Sequence, residues 1–123
     1  MKNKRETGAE YEKKAARYLE SCGYKIISSN FRCRAGEIDL IARDGRYLVF
    51  IEVKYRSGSG SGGALEAVDA KKQQRISRAA LCYRMQKNIP EETPCRFDVV
   101  GIDGEKAALV KNAFDFCGGG FCW

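Results

Sequence analysis

Apolar residues recur at Ala9, Tyr11, Ala15, Ala16, Tyr18 and Leu19, a spacing that predicts a helix from Thr7 to about Cys22. Thr7 reads as its N-cap with Glu10 as capping-box partner, and Gly23 ends it. The period then changes. Residues 24–33 read as a strand, and Gly36–Ile41 and Phe50–Lys54 read as two more, joined through Arg43-Asp44-Gly45-Arg46, where Asp-Gly is a strong hairpin signal. Residues 64 to about 87 are mostly helical, with Asp69 as a cap and Ile76, Ala79, Ala80 and Tyr83 as the apolar stripe. Pro90 and Pro94 bracket a loop, residues 96–102 form a strand, Gly104 a turn, and residues 107–114 a last strand. The order is helix, three strands, helix, two strands. The central strands are apolar on both faces, so a mixed α/β sheet with helices on both sides is expected.

The hairpin carries the chemistry. A loop at Asp44-Gly45 pairs Arg43 with Arg46, places Glu37 opposite Glu52 and places Asp39 opposite Phe50. Residues opposite each other, and residues two apart, share a face. Glu37, Asp39, Glu52 and Lys54 are therefore expected on one face, with Ile38, Leu40, Val49, Ile51 and Val53 on the other. Asp39 and Glu52 become diagonal neighbours, about 7–8 Å apart at the backbone, close enough to share a divalent cation. Unpaired, such charges on largely apolar strands are costly to bury. One reading is a solvated sheet end with Lys54 pairing an acid; the other is a metal or catalytic site. Glu37 reads either as tuning that site or as facing outward.

Composition narrows the chemistry. The chain has 123 residues, enough for one domain with a core, assigned to residues 1–116. Its net charge of +6 favours a polyanionic partner, nucleic acid before an acidic membrane surface. No apolar run reaches the roughly 18–20 residues of a membrane span, and the basic start lacks the apolar stretch of an export signal, so a cytoplasmic protein is expected. In that compartment the six cysteines are expected to be reduced thiols. With no histidine anywhere, His-dependent triads and His-ligated metals are excluded, and any metal must be held mainly by oxygen, as Mg2+ or Mn2+ are. Residues 57–63, all Ser and Gly, read as a flexible loop, either a gate beside the site or a linker, and residues 117–123 as an unstructured tail. Lys71, Lys72, Gln73, Arg75 and Arg78 make the start of the second helix basic, either a solvated face or a phosphate-contacting one.

This arrangement resembles the PD-(D/E)xK nuclease superfamily, an acid at one strand end and Glu-x-Lys on the next. More narrowly it resembles the YraN family, the UPF0102 group of small bacterial proteins. The likeness rests on Gly8-x-Glu10, Asn30-Phe31-Arg32, Gly36-Glu37-Ile38-Asp39-Leu40-Ile41, Phe50-Ile51-Glu52-Val53-Lys54-x-Arg56, Lys72-Gln73-Gln74-Arg75 and Arg96-Phe97-Asp98-Val99-Val100. Ile38 stands where the superfamily pattern has proline. The resemblance implies a restriction-endonuclease-like αβββαβ core, related in architecture to archaeal Holliday-junction resolvases, and metal-dependent phosphodiester hydrolysis in DNA, branched intermediates included. It implies Glu10, Asp39, Glu52 and Lys54 as active-site residues, with Asp39, Glu52, Glu10 and the Val53 carbonyl as ligands for Mg2+ or Mn2+. Arg56, Lys72, Gln73 and Arg75 would grip the nucleic-acid backbone. Symmetric cutting of two strands would favour a homodimer. The competing reading is a nucleic-acid-binding module with weak or no catalysis. A cysteine-based transferase is a third class, disfavoured because no cysteine has a histidine partner.

Overall fold

The structure is a computed structural model and describes residues 4–56 and 68–116, without the side chains of residues 4–7 and Arg56. Its elements are α1 (Lys4–Ser21), β1 (Lys25–Cys33), β2 (Gly36–Asp44), β3 (Tyr47–Arg56), α2 (Ala70–Gln86), β4 (Cys95–Asp103) and β5 (Lys106–Phe114). The strands form one sheet in the order β1-β2-β3-β4-β5. Neighbours are antiparallel except β3 and β4, which run parallel across the α2 crossover. This is the expected mixed α/β sheet.

The helices cover opposite faces. Ala15 and Leu19 of α1 are fully buried against Leu40, Ala42, Val49, Ile51, Val100 and Ile102. Ile76, Ala79, Ala80 and Tyr83 of α2 pack on Ile38, Ile41, Leu48, Phe50, Phe97 and Val99. The centre of the sheet is therefore dry on both sides, as its doubly apolar strands require. Asp69 caps α2 as expected, its carboxylate accepting the Lys72 N–H at 2.8 Å. Gln73 steadies the same entry by donating to the Val68 carbonyl at 3.0 Å. Thr7 is not an N-cap, because α1 begins at Lys4 and runs through it. Residues 64–67, the Ser/Gly loop at 57–63 and the tail at 117–123 lie outside the described residues.

The hairpin register differs from expectation. Asp44 pairs with Tyr47, so the two-residue loop is Gly45-Arg46 rather than Asp44-Gly45. Gly45 takes φ +62° while Arg46 keeps a negative φ, the pattern of a type II′ turn with glycine first. Asp44 stays in the ladder because Arg96 Nη2 holds its carboxylate at 2.8 Å and Lys111 Nζ at 3.5 Å. Phe50 consequently pairs with Ile41, not Asp39, and the ladder from the turn ends at Leu40–Ile51.

Candidate active site

One step past Leu40–Ile51 come Asp39 and Glu52, across from each other rather than diagonal, at the point where β2 leaves β3. Pairs Ser29–Leu40 and Phe31–Ile38 bracket this step on the other side. Leu40 faces the α1 cluster but Ile38 faces the α2 cluster, so β2 turns its faces over at Asp39, and Ile38 does not share a face with Leu40 as alternation predicts. Asn30, at the same step on β1, has φ +54°, a conformation Asn tolerates better than most residues. The strands part here, and the Asp39 side chain fills the gap. Its Oδ2 accepts the Val53 N–H at 2.8 Å. A residue's N–H and C=O leave the same edge of a strand, so the Val53 carbonyl also faces this opening.

The electrostatics are those of two acids forced together. Burial, followed by the Glu52 charge, pushes the Asp39 carboxyl up to about 8, and the two carboxyls are hydrogen-bonded to each other. Glu52 is 5% exposed. Two ammonium groups sit on it, Lys72 Nζ at 2.6 Å and Lys54 Nζ at 3.4 Å. Burial and then the neighbouring Lys72 pull the Lys54 ammonium down. Burial acts most strongly against the charge on Lys72, but its contacts with Glu52 and Lys54 and the charges of Glu52 and Asp39 together outweigh it, and the net shift is upward. The sequence-predicted acid pair and Lys54 are thus brought together. Lys72, expected on a nucleic-acid surface, belongs to the same cluster.

The α1 acid that bears on this cluster is Glu12. Burial raises its carboxyl, Asn30 hydrogen-bonds it, and the charges of Glu37 and Glu52 reach it; its own charge reaches Asp39. At roughly 100° per residue, Glu12 lies about 60° around α1 from the buried Ala15, whereas Glu10 lies about 140° away. The helix therefore turns Glu12 toward the sheet. The signal was present in the sequence, since Glu12 is three residues before Ala15 on the apolar stripe. Glu37 stands apart, paired with Arg32 at 3.2 Å, both side chains more than half exposed. Arg75 is exposed, and with Arg32, Gly36 and Lys72 it lines an open cavity of about 520 Å³ between the β1–β2 turn and α2. A Cβ on Gly36 would come within 3.3 Å of the Arg75 Cβ, so the bare glycine is what lets α2 lie this close. Arg56 continues β3, and Gln73 holds the entry to α2 rather than pointing to a ligand. Among the described residues, no three His, Cys, Asp or Glu side chains gather tightly enough to hold an ion on their own.

The raised Asp39 carboxyl has a stability consequence. Its folded pKa near 8 lies above the usual carboxylate value near 3.8, so the folded chain keeps a proton that the unfolded chain has released. Stability from this group is full below pH about 4, falls as pH rises toward 8 and is flat above. Asp39→Asn keeps an acceptor for the Val53 N–H without the charge. In EDTA it should melt at least roughly 5 °C above the parent at pH 8.5, with the gap closing toward pH 5, as thermal melts across pH will read.

A mixed five-stranded sheet between two helices, with a carboxylate pair and two lysines at a strand divergence, defines an α/β protein with an acid-centred site. The chain belongs to the uncharacterised protein family UPF0102, which matches residues 11–102, a span that includes Glu12 and omits Glu10. It is 49% identical to a UPF0102 protein of Lachnoclostridium phytofermentans over 116 residues, 94% of this chain and 98% of the relative. A UPF0102 protein of Dechloromonas aromatica is 50% identical over 107 residues, 87% of each chain. One from Alkalilimnicola ehrlichii is 45% identical over 109 residues, 89% of this chain and 86% of the relative. No described helix is long and apolar enough to cross a membrane. Cys22, Cys33, Cys82 and Cys95 are free thiols.

Proposed function

We propose that this protein is a metal-dependent nuclease that hydrolyses phosphodiester bonds in DNA, with branched recombination or repair intermediates as its substrates. The observation that carries the reading is the Asp39–Glu52 pair, two mutually hydrogen-bonded carboxyls at a strand divergence with Lys54 and Lys72 on the second acid. An acid pair buried side by side, with its protonation raised first by burial and then by the neighbouring acid, is the arrangement expected of a site that receives a hard cation.

The donor set fits such a cation. Asp39, Glu52 and the Val53 carbonyl offer oxygen only, and magnesium is ordinarily held by one or two carboxylates with water and substrate oxygens completing the shell. Glu12, whose charge reaches Asp39, would join through water. When bound, Mg2+ or Mn2+ neutralises phosphate charge and acidifies water. Asp39 would release its proton to water on taking up the cation. Lys54 and Lys72 would direct ammonium hydrogens at the phosphate oxygens and offset the charge that develops there. The downward pull on Lys54 suits a group that also positions the attacking water. Arg56, Arg75 and Arg32 supply affinity for the backbone without reading sequence.

The rival, a binding module without catalysis, draws on one feature: Glu52 is already satisfied by two ammonium groups. The test is purified protein with linear, flapped and junction DNA in Mg2+, Mn2+ or EDTA. Cleavage in metal alone supports the nuclease; tight binding with no cleavage of any substrate in either metal leaves the binding module.

A further inference from the structure

Lys54 and Tyr55 are consecutive on β3 and so leave opposite faces of the sheet. Lys54 turns toward α2 and the acid pair. Tyr55 turns toward α1, where its ring stacks on Tyr11 with centroids 3.8 Å apart and planes at 15°. Lys14 Nζ lies 5.8 Å from the Tyr11 ring, so the stack is backed by a cation. Tyr55 nonetheless keeps 48% of its surface exposed, the most of any aromatic among the described residues. Docking of α1 is already served by Ala15 and Leu19, both at 0% exposure. The stack therefore presents a supported aromatic face to solvent one residue from the lysine of the acid site. On the α2 side of the sheet, Arg32, Lys72 and Arg75 line the cavity together with Glu37, which pairs with Arg32, so three cations face one acid there.

We infer that Tyr55, backed by Tyr11, is a stacking platform for one unpaired nucleobase next to the phosphodiester held at Asp39 and Glu52; this rests on the nuclease reading above. A nucleotide carries its phosphate and its base at opposite ends of the sugar. With the phosphate drawn to the cationic α2 side, the base is left facing the α1 side, where Tyr55 waits. A base inside a continuous duplex is already stacked on both faces and must be unstacked to reach a side chain; a base at a flap, junction or single strand is free to do so. The substrate class is accordingly DNA with an unpaired nucleotide at the cleavage position.

The test uses the full chain in EDTA, so that nothing is cut. Flapped DNA, a single strand and a fully paired duplex of the same sequence each carry a fluorescent adenine analogue at the same nucleotide, the one that is unpaired at the branch of the flapped DNA. The parent should bind the first two more tightly than the duplex and quench the analogue. Tyr55→Ala should weaken binding to flapped and single-stranded DNA by about tenfold and abolish the quench, with duplex binding changed less than about twofold. Tyr55→Phe and Tyr55→Trp should behave as the parent. Tyr55→Leu keeps apolar cover over Tyr11 without an aromatic face and gives the same readout if the alanine variant is unstable. Equal weakening on all three DNAs, no weakening on any, or a retained quench overturns the platform. If the parent cuts DNA in metal yet prefers duplex, the platform alone fails; if it binds none of the three, the nuclease reading fails and takes the platform with it.

Discussion

Asp39→Ala is expected to lower metal-dependent DNA cleavage by about 10²–10³-fold or more while DNA binding in EDTA stays within about twofold of the parent. Both halves follow from the site. Asp39 is the acid that sits between the strands, fixed by the Val53 N–H and hydrogen-bonded to Glu52. Without it, a cation loses one of two carboxylates and Glu52 stays locked to Lys54 and Lys72. Binding is spared because an Asp39 carboxyl pushed up to about 8 is largely uncharged at pH 7 before metal arrives, so its removal changes little of the field a polyanion meets. Asp39→Asn should lose cleavage equally, which separates charge from shape. Lys54→Ala should lose less cleavage than Asp39→Ala, because Lys72 shares its contact with Glu52. Rates on a flapped substrate in Mn2+, read beside anisotropy in EDTA, measure all of this. Full cleavage by Asp39→Ala would remove the acid pair from the chemistry.

The acid site was legible in the sequence despite a misplaced turn, and the reason is geometric. Moving the loop from Asp44-Gly45 to Gly45-Arg46 shifts every pairing by two residues, an even number, so Asp39, Glu52 and Lys54 keep their face. A shift of one would have scattered them. The choice of loop was not legible locally, because the residue that keeps Asp44 in the ladder, Arg96, is 52 positions away. The same holds for the face reversal at Asn30 and Asp39, which alternation cannot foresee. Lys72 looked like surface because a basic helix start resembles a solvated face; only the packing of α2 over β3 puts its ammonium on Glu52. Glu12 was legible from helical phase, which sets it about 60° from the buried Ala15 on α1.

The largest stability loss is expected at Asp98, which the sequence shows only as an acid within an apolar strand. Asp98 has 0% exposure and accepts four hydrogen bonds: from Tyr24 Oη at 2.6 Å, Arg96 Nε at 2.9 Å and Nη2 at 3.0 Å, and the Asn112 N–H at 2.9 Å. These tie the α1–β1 connection, β4 and the irregular step in β5, where Asn112 has φ +52°. Arg96 carries the tie onward to Asp44 and so to the hairpin turn. The Arg96 guanidinium is held more firmly charged than usual, first by the bond to Asp98, and burial followed by the Asp98 bond raises the Tyr24 hydroxyl. Asp98→Ala removes the one acceptor common to all of them. It leaves a buried hydroxyl, a backbone N–H and the Arg96 Nε without their acceptor, with Asp44 as the remaining carboxylate on a guanidinium 12% exposed. Removing one partner of a buried ion pair typically costs about 3–5 kcal/mol, a large part of the 5–15 kcal/mol such a domain has. Asp98→Ala is thus expected to melt at least about 15 °C below the parent or to fold only in the cold. Asp98→Asn, which keeps one acceptor oxygen, should fall between the two. Because Asp98 faces α1 and the acid site opens beside α2, whatever Asp98→Asn remains folded should still cut DNA at a near-normal rate per folded molecule. Urea melts paired with cleavage assays decide this: a stable Asp98→Ala protein would mean the network is dispensable, and a folded but inactive Asp98→Asn would place Asp98 in the chemistry instead.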